Sequence, residues 1–139
     1  PYPGHTEILA ERTRTRDFGM MLYRRGLGVL HVTLHTSLRK ALDLIRTDSI
    51  LEKTLLLDGM MRRLGCPQPR LAVAALNPHA SDGGLFGDEE ATIVEPAVKK
   101  AQQAGILVTG PIPTDTLFVR AAAGEFDGVV ALYHDQGHI

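Results

Sequence analysis

The sequence has no tryptophan, a single cysteine and few aromatic residues, and neither sign of charge dominates it. The lone thiol, Cys66, cannot form an internal disulfide, which favours a reducing compartment. Fifteen basic against sixteen acidic residues leave a net charge of −1, so no global positive field would attract nucleic acid or an anionic membrane. No apolar run approaches the roughly 20 residues that cross a bilayer, and the start lacks a signal-peptide pattern. We therefore expect a cytoplasmic protein with neither a nucleic-acid nor a membrane partner.

The chain does contain enough apolar residues for one compact core. Its 139 residues are 44% hydrophobic and 22% charged, which is ordinary for a globular protein. No repeat, linker or low-complexity segment divides it, and apolar segments of strand length and helix length alternate throughout. We predict a single α/β domain over residues 1–139.

Apolar segments bounded by turn residues predict the strands and helices. The predicted strands are 17–23, 28–34, 70–76, 106–109 and 127–133, and the first two form a hairpin. The predicted helices are 7–15, 38–45, 47–64, 88–104 with a kink or restart at Pro96, and 115–123. We predict 110–113 as a loop, because it is rich in glycine and proline. One apolar stripe on the third helix repeats at helical spacing and is predicted to face the core: Leu51, Leu55, Leu56, Met60 and Leu64.

Three of the six histidines share a position relative to the predicted strands. His35, His79 and His134 each follow an apolar segment of strand length. If those strands are parallel, the three imidazoles lie along the sheet edge where open α/β sheets bind ligands. Three neutral imidazoles there would form a divalent-metal site with positions open to water or substrate. Their separations of 44 and 55 residues match no local metal motif, so loop or capping roles stay an equal alternative.

Other polar residues near the predicted strand ends are weaker candidates. His31 lies about 13 Å before His35 along an extended strand, and we predict a structural role for it. The glycine-rich loop 77–87 would either offer backbone N–H groups to an anion or serve as a flexible connection. Asp115 and Asp135 would either orient a histidine or remain solvated turn residues.

Four longer motifs, taken in order, resemble one enzyme family. They are PGHTE at 3–7, LNPHASDGGLFGDEE at 76–90, GPIPTDTLF at 110–118 and YHDQGHI at 133–139. Together they resemble the 4-hydroxythreonine-4-phosphate dehydrogenases, which are similar in fold to isocitrate and isopropylmalate dehydrogenases. The resemblance implies a three-layer α/β/α fold with a mainly parallel sheet. It also implies that the chain is the central part of a homodimeric dehydrogenase about twice as long.

The resemblance assigns roles to individual residues. Family metal ligands match His35, His79 and His134, and a substrate-binding pair matches His5 and Thr6. Two carboxylates would support the site from outside the metal's own ligands: Asp115 and Asp135. The implied cofactors are a divalent metal ion (Zn, Mg, Co or Mn) and NAD or NADP, whose binding residues and the general base are not identified in this chain.

The motifs also bear on the substrate. Biosynthetic members read NPHAGEGGHMG and YHDQGLP, whereas this chain has Ser81, Asp82, Leu85 and Phe86 and continues with His138. HVTLHTSLR and DQGHI look more like the branch that acts on D-threonate or D-erythronate 4-phosphate. The implied reaction is oxidative decarboxylation of a small 4-phosphorylated 3-hydroxy acid of this kind or 4-hydroxythreonine 4-phosphate. The alternatives are a cis-dihydrodiol dehydrogenase of the same family, or a catalytically silent module for metal binding or dimerisation.

Overall fold

The computed structural model describes Tyr2 and residues 4–139, so Pro3, which begins the PGHTE motif, lies outside the described residues. The helices are α1 His5–Thr13, α2 Leu38–Leu44, α3 Thr47–Arg63, α4 Glu95–Gln103, α5 Thr114–Ala122 and α6 His134–Gly137. The strands are β1 Met21–Arg24, β2 Leu27–His31, β3 Leu71–Ala74, β4 Val108–Ile112 and β5 Gly128–Ala131. Two further helical turns, Pro78–Asp82 and Glu90–Val94, lie between β3 and α4. Across the described residues, no helix is long and apolar enough to cross a membrane.

The five strands form one sheet in the order β1-β2-β5-β3-β4. β1 and β2 are antiparallel, which confirms the predicted hairpin, and the other neighbouring pairs are parallel. Arg25 and Gly26 form the two-residue hairpin turn with φ values of 51° and 89°. Positive φ at both positions matches the right-handed twist of the strands that the turn joins. The sheet is therefore mainly parallel, as predicted.

Helices cover both faces of this sheet. Alternation along β3 turns Leu71 and Val73 to one face, where they pack with core residues of α3 and α4. Ala72 and Ala74 point the other way and pack with Leu117 of α5. These two apolar clusters confirm the three-layer α/β/α class.

The predicted core face of α3 is wrong. Leu55, Met60 and Leu64 expose 42%, 38% and 46% of their surface. Leu51 and Leu56 only pack at the margin of the core. The buried positions are Ile50, Thr54, Leu57, Asp58 and Met61. Two polar side chains share this buried face because each has a partner on the helix itself: the Thr54 hydroxyl donates to the Ile50 carbonyl at 2.8 Å, and Asp58 accepts from Arg62 at 2.7 Å.

The predicted loop 110–113 is also wrong, because most of it is strand. β4 extends from Val108 to Ile112 and includes Pro111. A proline is tolerated here since β4 is an edge strand with one side unpaired. Gly110 has a φ of 148°, and a Cβ on it would lie 2.6 Å from the Val73 carbonyl oxygen. Only glycine permits this close approach of β4 to β3.

Candidate metal and substrate site

The three candidate histidines follow three neighbouring parallel strands. β2, β5 and β3 lie side by side and run in the same direction. His35 follows β2, His79 lies in the turn after β3, and His134 begins α6 just after β5. The topology thus places all three after the carboxyl ends of adjacent strands, the usual ligand edge of such a sheet.

The imidazoles of His35 and His134 form a close pair. Their ring centroids are 5.9 Å apart. Nδ1 of His134 lies 2.8 Å from the Asp135 carboxylate, which can only accept, so Nδ1–H donates to it and Nε2 is the nitrogen left to face a ligand. Nδ1 of His35 faces the Glu7 carboxylate at 3.6 Å. Each ring therefore has a carboxylate beside one nitrogen, an arrangement that orients the imidazoles of metal sites.

His79 lies apart from this pair. Its side chain is exposed, and its ring centroid is 6.2 Å from that of Phe86. Among the residues that the structure describes, no three histidine, cysteine or acidic side chains come close enough to hold an ion. The single chain thus brings together two of the three predicted ligands, and the metal role of the three stays a prediction.

Sequence reasoning missed Glu90, which lies buried beneath the turn that carries His79. Its surface is 2% exposed. Its Oε1 accepts hydrogen bonds from the backbone N–H groups of Leu76 and Asn77 at 2.7 and 2.6 Å, and its Oε2 accepts from the Ser81 hydroxyl. Burial alone would raise the pKa of Glu90, but these hydrogen bonds outweigh burial and hold its pKa below the ordinary value. In the sequence, Glu90 is one of several acids at the start of the predicted helix 88–104, which does not indicate a buried role.

Two further histidines adjoin the pair. His31, predicted as structural, is 1% exposed, and burial lowers its pKa to about 4, so its ring is neutral. The ring of His138 stacks on that of His134 with centroids 3.9 Å apart, and its centroid is 4.7 Å from that of His31. Nδ1 of His138 lies 2.8 Å from the His134 carbonyl oxygen, to which it donates when protonated. His138 thus packs on a candidate ligand, a contact that the sequence alone does not reveal.

The start of α1 lies against His35. A Cβ on Gly4, the residue before the helix, would lie 2.7 Å from Nδ1 and Cε1 of the His35 ring. His5 and Thr6 form the first turn of α1. The N–H groups of a first helical turn have no partner within the helix, and the helix dipole favours an anion there. The two residues predicted to bind substrate therefore lie next to one of the paired histidines.

A cleft and one of the two candidate aspartates adjoin the pair. The cleft has a volume of about 360 Å³, and its lining includes His35, His31, Arg46 and Lys53. Asp135 contacts His134, as described above. The Asp115 carboxylate is exposed and accepts from the Thr116 backbone N–H at 3.0 Å, which matches the alternative of a solvated turn residue. A role of Asp115 in the site stays a prediction.

The whole chain matches one protein family. The family is described as "pyridoxal phosphate biosynthetic protein PdxA", and the match covers residues 1–139. This chain belongs to the PdxA family. The resemblance drawn from the sequence motifs is thereby confirmed.

Curated PdxA relatives carry two different dehydrogenase names. A D-threonate 4-phosphate dehydrogenase of Pectobacterium atrosepticum is 50% identical over 138 residues, which are 99% of this chain and 42% of the relative. A 4-hydroxythreonine-4-phosphate dehydrogenase of Desulfosudis oleivorans is also 50% identical, over 99% of this chain and 41% of the relative. This chain therefore spans less than half the length of these relatives, and overall identity does not distinguish the two substrates.

Solved PdxA structures share the fold. The crystal structure of a 4-hydroxythreonine-4-phosphate dehydrogenase from Klebsiella pneumoniae superposes with a TM-score of 0.93 at 52% identity. It covers 99% of this chain, which spans 42% of that protein. The observed layers and strand order are thus those of a PdxA enzyme.

The residues that depart from the biosynthetic motif lie near the candidate ligands. Ser81 bonds to Glu90 in the turn of His79, and Phe86 lies beside the His79 ring. His138 stacks on His134. These departures from the biosynthetic motif therefore contact candidate ligands or the turn that carries one.

Proposed function

We propose that this chain is the part of a PdxA dehydrogenase that holds a divalent metal ion and the phosphate end of a small hydroxy acid. The observation that supports the proposal is the His35–His134 pair, with ring centroids 5.9 Å apart, beyond the carboxyl ends of adjacent parallel strands. The chain's relatives are named dehydrogenases, which act on an alcohol carbon.

The donor set of the pair fits a divalent metal. A metal–nitrogen bond is about 2.0–2.1 Å long, so two imidazoles at this ring separation can share one ion. Because Nδ1 of His134 donates to Asp135, Nε2 is the nitrogen that would bind the ion. His79, which follows the neighbouring strand, would supply the third nitrogen, from the same chain or from a second copy. When bound, the ion would polarise the alcohol oxygen of the substrate as a Lewis acid.

The substrate would enter with its phosphate at the start of α1. His5 and Thr6 would donate to phosphate or hydroxyl oxygens, and the unpaired N–H groups of the first helical turn would assist. Arg46 and Lys53 line the adjoining cleft together with Glu7 and Glu52, and Lys53 pairs with Glu52 at 2.7 Å, so we assign the phosphate to the groups at the helix start. These groups would orient the reacting carbon toward the paired histidines.

The proposed reaction is oxidation of a secondary alcohol β to a carboxylate, followed by loss of carbon dioxide from the keto acid. The hydride acceptor would be NAD or NADP. No glycine-rich dinucleotide fingerprint occurs in the sequence, and the loop 77–87 has no Walker A ending. We therefore assign the nucleotide to no residue of this chain, and the residues discussed here act on the metal and substrate side.

A direct assay tests this function. The intact protein, supplied with a divalent metal and NAD or NADP, should form reduced nucleotide with at least one of three substrates: 4-hydroxythreonine 4-phosphate, D-threonate 4-phosphate or D-erythronate 4-phosphate. Chelation with EDTA should abolish this turnover, and added metal should restore it, because the ion polarises the reacting oxygen. Turnover that resists chelation, or turnover of an unphosphorylated cis-dihydrodiol alone, contradicts the proposal.

The protein should be a homodimer. β1 is an edge strand, and Leu22 and Tyr23 on it are exposed, as are Leu55, Met60 and Leu64 on α3. An edge strand with exposed apolar side chains is prone to association unless another surface covers it. Sedimentation equilibrium of the intact protein at micromolar concentration should give twice the mass of one chain. A monomer at that concentration contradicts this prediction.

A further inference from the structure

The turn that carries His79 has an unusual backbone. Four successive residues have left-handed φ values, although none is glycine: His79 at 54°, Ala80 at 53°, Ser81 at 68° and Asp82 at 45°. L-residues avoid this region and persist in it only where the surrounding structure imposes it. Something outside the turn must therefore hold the peptide that positions His79.

The Glu90 carboxylate binds this turn at both ends. At its start, Glu90 accepts from the backbone N–H groups of Leu76 and Asn77 and from the Asn77 side-chain amide, the last at 3.0 Å. At its far side, Glu90 accepts from the Ser81 hydroxyl, which is itself buried. His79 lies in the chain between these anchor points. Glu90 is also the first residue of the π-helical turn Glu90–Val94, a backbone form that occurs frequently at functional sites.

We propose that Glu90 is the positioning residue for His79. Its buried carboxylate stabilises the left-handed turn 79–82 and thereby determines the position of the His79 imidazole. This inference rests on the proposed function, in which His79 is a metal ligand. The role requires a carboxylate, because all four groups around Glu90 donate and a carboxylate only accepts. A glutamine would turn its own N–H₂ group toward one of these donors.

Metal affinity is the quantity that this role controls. In the intact protein, Glu90→Gln should weaken Zn²⁺ binding by about 10–100-fold, as the loss of outer-shell partners does. Ser81→Ala removes a single donor and should weaken binding in the same direction by about 10-fold, the lower end of that range. The control is Glu95→Gln, which changes an exposed acid on the following helix and should leave Zn²⁺ affinity unchanged. Calorimetry with Zn²⁺ alone measures all three.

A double-variant cycle separates positioning from a general loss of structure. Because Glu90 acts through His79, adding Glu90→Gln to His79→Ala should cause no further loss of Zn²⁺ affinity. Additive losses would mean that Glu90 affects the site by another route and would overturn the inference. If Glu90→Gln does not fold, the same cycle is measured with Ser81→Ala in its place. Adding Ser81→Ala to His79→Ala should then cause no further loss of Zn²⁺ affinity, and an additive loss would overturn the inference.

The outcomes also distinguish this inference from the proposed function. If His79→Ala weakens Zn²⁺ binding while Glu90→Gln and Ser81→Ala bind like the wild type, the inference fails and the proposed function stands. If His79→Ala itself binds Zn²⁺ like the wild type, the proposed metal role of His79 fails, and the inference fails with it.

Discussion

Replacing His134 by alanine should weaken Zn²⁺ binding by the intact protein by more than the roughly 10–100-fold that an outer-shell loss costs. The reason is that this substitution removes a ligand rather than a group that orients one. His134 is one of the two imidazoles that the single chain already brings together, with a centroid separation of 5.9 Å from His35. His35→Ala should have an effect of the same size, because in the proposed site each ring would supply one nitrogen to the same ion.

The matched control is a histidine outside the predicted ligand set. His5→Ala removes an exposed imidazole at the start of α1, which we assign to the substrate. Its Zn²⁺ affinity should equal that of the wild type, whereas its KM for the phosphorylated substrate should rise. Calorimetry with Zn²⁺, together with circular dichroism to show that each variant is folded, makes the comparison. Wild-type affinity in a folded His134→Ala protein would refute the assignment.

The 139-residue chain, assayed alone, should turn over no substrate even when metal and NAD are supplied. Hydride transfer needs the nicotinamide about 3–3.5 Å from the reacting carbon, and such positioning can supply roughly 7–11 kcal/mol of the barrier reduction. We assign none of that positioning to this chain. The groups described above can hold the phosphate end of a substrate, so weak binding of a phosphorylated hydroxy acid is expected without catalysis.

Two measurements on the same sample check this expectation. Absorbance of reduced nucleotide should stay at background with D-threonate 4-phosphate and with 4-hydroxythreonine 4-phosphate. Calorimetry should meanwhile detect binding of the substrate, and His5→Ala should weaken it. Measurable turnover that His134→Ala abolishes would show that the chain carries more of the catalytic apparatus than we assign to it.

The sequence located the central strands because central parallel strands are continuous apolar segments, although the predicted segments run two or three residues past the observed ends at His31, Ala74 and Ala131. The segments 70–76 and 127–133 contain β3 and β5, and the polar residues that follow them mark the functional edge. His35, His79 and His134 could therefore be selected from position alone. Strand order was not predictable in this way, because it depends on which strands meet in three dimensions.

Other features were hidden because the sequence does not show how polar side chains are satisfied or which elements meet in the fold. The buried face of α3 includes Thr54 and Asp58, whose hydrogen-bond partners lie on the same helix. A prediction that places only apolar residues in the core therefore selects the wrong face. Pro111 suggested a loop because nothing in the sequence shows that β4 is an edge strand. Nothing in the sequence distinguishes Glu90 from the other acids of the predicted helix 88–104, since its hydrogen-bond partners are defined only by the fold of the turn above it.

Anomalous X-ray scattering at the zinc edge, from crystals of the intact protein grown with Zn²⁺, tests the central claim most directly. The predicted result is a peak about 2.0–2.1 Å from Nε2 of His35 and of His134, with a His79 nitrogen from the same or a second copy completing the set. A zinc peak elsewhere, with the His35 and His134 rings free of metal, would contradict the account.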